Sequence, residues 1–241
     1  MTNEFYKPGE QRAAGVGELF GTVARRYDLI NDVQSLGMHR AWKRRALRVA
    51  RVQPGERALD LCCGTGDITF ALAKSGANAT GLDFSAAMLE VAGEKLARNK
   101  NLPAPVQFIQ GDAQQIPFPE NSFDVLTIGY GLRNLADLDA GLSDMLRVTK
   151  PGGRMVALEF GKPANGLWRA IYFGYLKFML PIFGKIFCGN GAAYAYILES
   201  LKHYPGQTEV AAKMGALGWK NIRVLNLLGG VMSVHYAEKL R

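Results

Sequence analysis

The chain has 241 residues, 48% of them hydrophobic and 21% charged, with a formal net charge of +8. That length suits one domain with embellishments. The mean hydropathy of −0.03 is ordinary for a soluble globular chain, and no apolar run reaches the roughly 18 uncharged residues of a spanning helix, so no transmembrane helix is expected. The adjacent Cys62 and Cys63 give neither a disulfide framework nor a metal-ligand spacing, so buried thiols, no metal and a reducing cytosol are expected. The polar start MTNEFYKPGEQR predicts no secretory signal.

The first segment, residues 12–52, reads as a helical cap (ELFGTVARRYDLIND, then HRAWKRRALRVA). Residues 12–57 carry ten Lys/Arg, among them Arg12, Arg44 and Arg45, against four acids including Glu18. Such a patch suits nucleic acid, an anionic membrane, an anionic substrate or simply a solvated helix face. From residue 57 strands and helices alternate. RALDLCC (57–63) is a strand ending in a glycine turn, and DITFALAKSG (67–76) is a helix. ATGLDF (79–84) is strand two, with Ser85 capping the next helix; VQFIQGD (106–112) and FDVLTIG (123–129) are strands three and four. A helix follows near 138–149, is stopped by Lys150-Pro151-Gly152-Gly153, and gives way to strand five, RMVALEF (154–160). IRVLNLL (222–228) and VMSVHYAEKL (231–240) flank Gly229-Gly230 as a hairpin. The pattern predicts an α/β domain over residues 1–241 with a doubly wound, mostly parallel seven-stranded sheet. Its last strand is antiparallel, and a helical insertion (161–205) precedes the final hairpin.

In such sheets the ligand sits at the carboxyl ends of the strands, here at DLCCGTGD (60–67). The third glycine of a dinucleotide loop is missing, and Asp60 and Asp67 flank the turn where a pyrophosphate would be repelled. S-adenosylmethionine reverses each preference, since it has no phosphate and carries cations. Gly64 and Gly66 would let the backbone approach its methionine moiety. Asp83, at the tip of strand two, would accept both ribose hydroxyls, and Asp112, after strand three, the adenine amino group.

DLCCGTGD, GLDFS, GDAQQIPFPENSFD and RVTKPGGRMVALEF resemble the motif series of class I S-adenosylmethionine-dependent methyltransferases. YDLINDVQSLGMHRAWK (27–43), GLRN (131–134) and the LEF ending of strand five resemble, more narrowly, the ubiquinone/menaquinone biosynthesis C-methyltransferases, over roughly residues 19–241. The resemblance implies Thr65, Asp83, Asp112 and Ala113 as cofactor contacts. Ile30, Thr149 and Gly161 depart from the usual family residues, and Gly129 replaces a serine at the cofactor site, so Gly129 is left out of the binding set.

The resemblance further implies methylation of a ring carbon in a polyprenylated quinol: demethylmenaquinol to menaquinol, or the same chemistry on a phytyl-naphthoquinol or a benzoquinol precursor of ubiquinone. Forming the phenolate of a phenol with pKa near 10 at pH 7 costs about 4 kcal/mol, and a cation in a water-poor pocket could offset much of it. Arg133 stands where the acceptor should approach, with Asn134 orienting the ring; the structural alternative for Arg133 is an ion pair to a helix acid such as Asp137. His39 is the best placed of three histidines that lack a sequence-level partner, and Tyr27 closes over the cofactor or packs as a core aromatic. LWRAIYFGYLKFMLPIFGKIFC (167–188), broken by Pro181 and bearing Arg169, Lys177 and Lys185, suits an interfacial segment, a cover over an isoprenoid tail, or a homodimer contact. With the basic cap it predicts a cytoplasmic enzyme peripheral on the inner, anionic membrane face. A nucleic-acid methyltransferase fits less well, because GYGLRN has neither an Asn/Asp-Pro-Pro-aromatic clamp nor a Pro-Cys nucleophile; no nucleic-acid partner is expected.

Overall fold

The computed structural model describes residue 21, residues 23–188 and residues 191–241. Arg12, Glu18 and the start of the first expected helix lie outside the described residues.

Two helices, α1 (Tyr27–Ser35) and α2 (Met38–Ala50), precede the sheet. β1 (Arg57–Leu61), α3 (Asp67–Lys74), β2 (Asn78–Asp83), α4 (Ala86–Arg98), β3 (Val106–Gln110), β4 (Phe123–Gly129), α5 (Leu138–Val148) and β5 (Thr149–Phe160) form the alternating part. α6 (Gly166–Cys188), α7 (Gly191–His203), α8 (Gln207–Ala216), β6 (Lys220–Leu227) and β7 (Met232–Glu238) complete the chain. The single sheet runs β3-β2-β1-β4-β5-β7-β6. β1 to β5 pair in parallel, and β7 is antiparallel to β5 and β6. The last strand thus inserts between β5 and β6 and leaves β6 at the edge.

The inner strands are apolar runs because helices cover both faces. Leu59, Leu61, Leu126 and Met155 pack into one layer, and Ala58, Leu72, Val125 and Val156 into the other. Register aligns the strand tips, with Leu61 opposite both Leu82 and Ile128. The order reverses between β1 and β4, which opens a crevice at that edge. Ser85 caps α4 by accepting from Met88 N, and Asp137 caps α5 by accepting from Asp139 N and Ala140 N.

Three elements differ from expectation. Lys150-Pro151-Gly152-Gly153 belongs to β5, where pairing with β4 jumps from Phe123–Thr149 to Val125–Arg154. A bulge tolerates a proline without N–H, Gly152 lies at φ +79, and a side chain on Gly153 would meet Lys150 O at 2.8 Å. α6 continues through Pro181, with Tyr172, Leu176 and Leu180 buried along one face; that burial offsets the roughly 3 kcal/mol a proline costs a helix interior. The hairpin turns through Leu228–Gly230, with Leu228, Gly229 and Gly230 all at positive φ, and so is longer than a two-residue turn. Among the described residues no helix is long and apolar enough to cross a membrane.

Candidate functional site

Past β1 the backbone turns at Cys62, Gly64 and Gly66, all at positive φ. Asp83 Oδ2 accepts from Gly64 N at 2.7 Å, and its Oδ1 from Ser85 N at 2.9 Å. Burial raises the Asp83 pKa. Asp112 Oδ1 accepts from Gln114 N at 2.8 Å. Gly64, Asp83, Asp112, Ala113 and Tyr27 line one cavity of about 80 Å³, together with Met88, Gln114, Asn134 and Leu135. Carboxylates at two tips beside apolar walls fit a nucleoside, whose hydroxyls and amine donate and whose base is flat and apolar. Gly129 lies in the same wall, and a side chain there would meet the Ile68 Cδ1 methyl at 2.7 Å. Met88, Gln114 and Leu135 escaped sequence reading because apolar and amide residues after a strand tip carry no distinctive pattern.

Three expected cofactor residues stand behind this cavity rather than in its wall. Asp60 is buried and accepts from Thr69 Oγ1 at 2.7 Å and Thr127 Oγ1 at 2.8 Å. Both carboxylate oxygens are therefore engaged beneath the loop, and burial pushes the pKa up to about 7. Thr65 Oγ1 donates to Asp28 Oδ1 at 2.7 Å and accepts from Lys95 Nζ at 2.9 Å. Gly66 lies under Phe108 and Phe70, where a side chain would meet carbons at 2.7 and 2.9 Å. These residues shape the loop. Asp67 pairs with Lys43 at 2.8 Å and Lys95 at 3.3 Å; burial opposes its ionisation, but the lysines outweigh it and hold the pKa low. The turn is consequently not flanked by two bare anions, and that part of the case against a pyrophosphate falls. The case rests instead on Asp83 and Asp112.

The raised pKa of Asp60 has a definite pH sign. The unfolded carboxyl ionises near 3.9, whereas the folded one keeps its proton to about 7, so stability present below pH 4 is lost between those values. The ceiling is about 4 kcal/mol at 1.36 kcal/mol per unit. Asp60→Asn is expected to remove this loss: urea unfolding at pH 4.5 and 7.5 should show a smaller drop in the variant than in the native chain. Equal drops would contradict it.

α1 roofs the loop. Asp28 bonds Thr65 and pairs with Lys95 at 2.5 Å, and Tyr27 Cε1 lies 3.8 Å from where a Gly64 side chain would begin. Tyr27 also lines a second, larger and mainly apolar cavity of about 380 Å³. Its walls come from α1 and α2 (Gln34, Met38, His39, Trp42), Tyr130, Arg133 and Phe160, α6 (Trp168, Ile171, Tyr172, Tyr175, Leu176), and Leu228 with Val231. The two cavities share Tyr27 and Tyr130. Burial raises the hydroxyl pKa of Tyr130 and of Tyr172, keeping both protonated as donors.

Tyr130 sits at φ +61, a left-handed conformation costing about 1–2 kcal/mol without glycine. Its carbonyl accepts from Arg133 Nη1 at 2.6 Å and Asn134 Nδ2 at 3.2 Å, so GLRN holds the strained residue at the junction. Arg133 pairs with Glu159 of β5 at 2.7 Å and not with Asp137, which caps α5. Glu159 Oε2 also accepts from Arg133 N at 3.2 Å, and the guanidinium lies over the Phe160 ring. Asn134 faces the smaller cavity rather than the larger one, contrary to a ring-orienting role. His39 is buried, lines the larger cavity, and bonds Asp32 Oδ1 through Nε2 at 2.8 Å, a partner the sequence did not reveal. His203 is exposed and bonds Glu199 O, and buried His235 bonds Gln207 O; both serve structure. Among the described residues no cluster of His, Cys, Asp or Glu could hold a metal.

The rim of the larger cavity is apolar and exposed: Leu36 (85%), Met38, Trp168, Ile171, Tyr175 and Leu228. Phe178 and Ile182 extend the stripe along α6. Trp168 Nε1 donates to Leu228 O at 2.9 Å and Tyr175 Oη to Gln34 O at 3.1 Å, tying α6 to the hairpin turn and to α1. Arg44, Arg45 and Arg48 are exposed on α2.

The model of the ubiE/COQ5 methyltransferase family matches residues 6–239. A ubiquinone/menaquinone biosynthesis C-methyltransferase UbiE of Stenotrophomonas maltophilia (strain R551-3) is 43% identical over 229 residues, covering 93% of this chain and 90% of the relative. A demethylmenaquinone methyltransferase of Staphylococcus aureus (strain JH9) is 41% identical over 229 residues, covering 93% of each. Among solved structures, a SAM-dependent methyltransferase from Aquifex aeolicus superposes with a TM-score of 0.59 at 18% identity, over 81% of this chain and 88% of that one. At that identity the likeness speaks to the fold.

Proposed function

Since the chain belongs to the ubiE/COQ5 methyltransferase family, we propose that it methylates a ring carbon of a lipid-tailed quinol, converting demethylmenaquinol to menaquinol. The observation that carries this reading is the large apolar cavity meeting the smaller nucleoside-like one at Tyr27 and Tyr130. Two ligands lodged there would touch at one junction, which is what methyl transfer between them requires. Bound S-adenosylmethionine supplies an electrophilic methyl group.

The chain's own residues bind, orient and exclude water. Asp83 holds the ribose hydroxyls, Asp112 the adenine amino group, and Ala113 and the Gly64 backbone complete the fit. Thr65, Gly66 and Asp60 shape the loop from behind. Tyr27, on the helix tied down by Asp28, shields the junction from solvent. Arg133 lends a polar edge to an otherwise greasy wall. Its charge is largely balanced by Glu159, so it offsets less of the roughly 4 kcal/mol phenolate cost than a bare cation would.

The exposed apolar rim, together with the exposed Arg44, Arg45 and Arg48 on α2, supports peripheral docking on an anionic membrane, on the cytoplasmic face, so that the quinol enters from lipid. An apolar cavity offers nothing to a polyanion, which disfavours nucleic acid. The test is transfer of labelled methyl from S-adenosylmethionine to demethylmenaquinol, a phytyl-naphthoquinol or a demethoxy-benzoquinol presented in vesicles. Demethylmenaquinol in anionic vesicles is expected to be the best acceptor, at least tenfold better than in zwitterionic ones. Preference for the benzoquinol, or indifference to lipid charge, would overturn the corresponding part of the reading.

A further inference from the structure

We infer that His39 is the base that accepts the hydroxyl proton of the quinol, and that Asp32 is the residue positioning it; this rests on reading the large apolar cavity as the acceptor site. α1 and α2 meet in an elbow at Leu36 (φ +49) and Gly37 (φ +75). The elbow folds Asp32 back against His39, seven residues on, with Nε2 and Oδ1 2.8 Å apart. Arg40 grips the same carboxylate, Nε to Oδ1 at 2.8 Å and Nη2 to Oδ2 at 2.5 Å. The Arg40 hydrogen bond, then that of His39, holds the Asp32 pKa down to about 2, so Asp32 accepts and never donates. His39 Nε2 must therefore carry a hydrogen. In the neutral ring that leaves the lone pair on Nδ1.

Nδ1 is buried and has no hydrogen-bond partner, on a ring that lines the apolar cavity. An unsatisfied buried nitrogen costs about 1–3 kcal/mol, a cost relieved when a hydroxyl donates to it. The other titratable groups facing the cavity cannot play this part. Arg133, from the turn after β4, has no lone pair to offer, and Glu159 of β5 is spent on it. Tyr27 of α1, Tyr130 beyond β4, and Tyr172 and Tyr175 of α6 all have pKa values raised by burial. They remain donors at neutral pH.

The step breaks the quinol O–H bond and places its proton on Nδ1. The electron pair left on oxygen is conjugated to the ring carbon, which would form the new C–C bond as the donor's sulfonium–methyl bond breaks and leaves its pair on sulfur. The imidazolium is balanced across the ring by Asp32. When the methylated carbon sheds its hydrogen as a proton, the imidazolium returns its own to the oxygen, and one net proton leaves to solvent. No oxidant or reductant is required.

The experiment uses the full-length chain and has two arms. In ¹⁵N-histidine NMR of the protein alone, His39 is expected as the Nε2–H tautomer, with Asp32→Asn eroding that preference. In turnover, His39→Ala is expected to keep its S-adenosylmethionine affinity by calorimetry but lose about 10²–10⁴ in kcat, partly restored by added imidazole. Asp32→Asn is expected to lower kcat and shift the acid limb of the pH profile. A Nδ1–H tautomer, or His39→Ala within tenfold of the native rate, would overturn the assignment. Ile171→Trp, which narrows the cavity mouth, separates this from the underlying reading. An unchanged quinol KM in that variant would refute the cavity as acceptor site. A raised KM beside an active His39→Ala would refute only the base.

Discussion

Glu159→Ala is expected to lower the unfolding free energy by about 3–5 kcal/mol, the usual cost of breaking a buried ion pair from one side. Neither member of the Arg133–Glu159 pair exposes more than 4% of its side chain, and their closest atoms are 2.7 Å apart. Glu159 also accepts from the backbone N–H of Phe160 and Arg133. Removing it takes the balancing charge from a buried guanidinium beside an apolar cavity and leaves two buried backbone donors short. Arg133→Ala should cost a similar amount, because Glu159 is fully buried and loses the cation that balances it. At about 2–4 °C per kcal/mol for a chain of this size, each single variant should melt roughly 6–20 °C lower. The double replacement Arg133→Met with Glu159→Leu should recover most of the loss, since well-packed apolar residues often replace buried pairs without penalty. It should nonetheless be slow, because the Tyr130 carbonyl then loses the shorter of its two side-chain donors and keeps only Asn134 Nδ2 at 3.2 Å. Additive losses in the double variant would show that the two residues act independently. This result also bears on how activity data are read: an inactive Arg133→Ala protein is evidence about chemistry only when its fold has been measured.

Asp83 carries the second large effect, on affinity. Its two oxygens organise the loop through Gly64 N and Ser85 N and keep lone pairs free toward the smaller cavity. Hydrogen bonds to a charged group are worth about 1.5–3 kcal/mol each. Losing two to the ribose should weaken S-adenosylmethionine binding about 10²–10⁴-fold in Asp83→Ala. Asp83→Asn should fall between, keeping one acceptor. Calorimetric titration of both variants, with unfolding curves alongside, reads this directly. An Asp83→Ala affinity within fivefold of native would remove Asp83 from the cofactor site.

The sheet was readable because parallel inner strands are apolar on both faces, and because each strand tip that matters ends in a residue with unusual demands: a glycine turn, Asp83, Asp112. Partners across the fold were not readable. Glu159 gave one overlooked signal, an acid inside the apolar run VALEF, which requires a buried cation somewhere. Asp32 gave none, since its meeting with His39 depends on the α1–α2 elbow and not on spacing along one helix. Asp60 and Asp67 misled in the opposite way: as letters they were two anions beside the turn, and in space Thr69, Thr127, Lys43 and Lys95 absorb them. Pro181 read as a break, yet α6 passes through it because Tyr172, Leu176 and Leu180 are anchored below.

The central claim is that a reduced, lipid-tailed ring lies in the apolar cavity and is methylated on carbon. Mass spectrometry of the product formed from labelled S-adenosylmethionine and demethylmenaquinone, with the acceptor either reduced or oxidised, tests it most directly. The label is expected on the ring carbon of the naphthoquinone, in the reduced incubation alone, with one S-adenosylhomocysteine released per methyl transferred. Label on a quinol oxygen, or equal transfer to the oxidised ring, would contradict it.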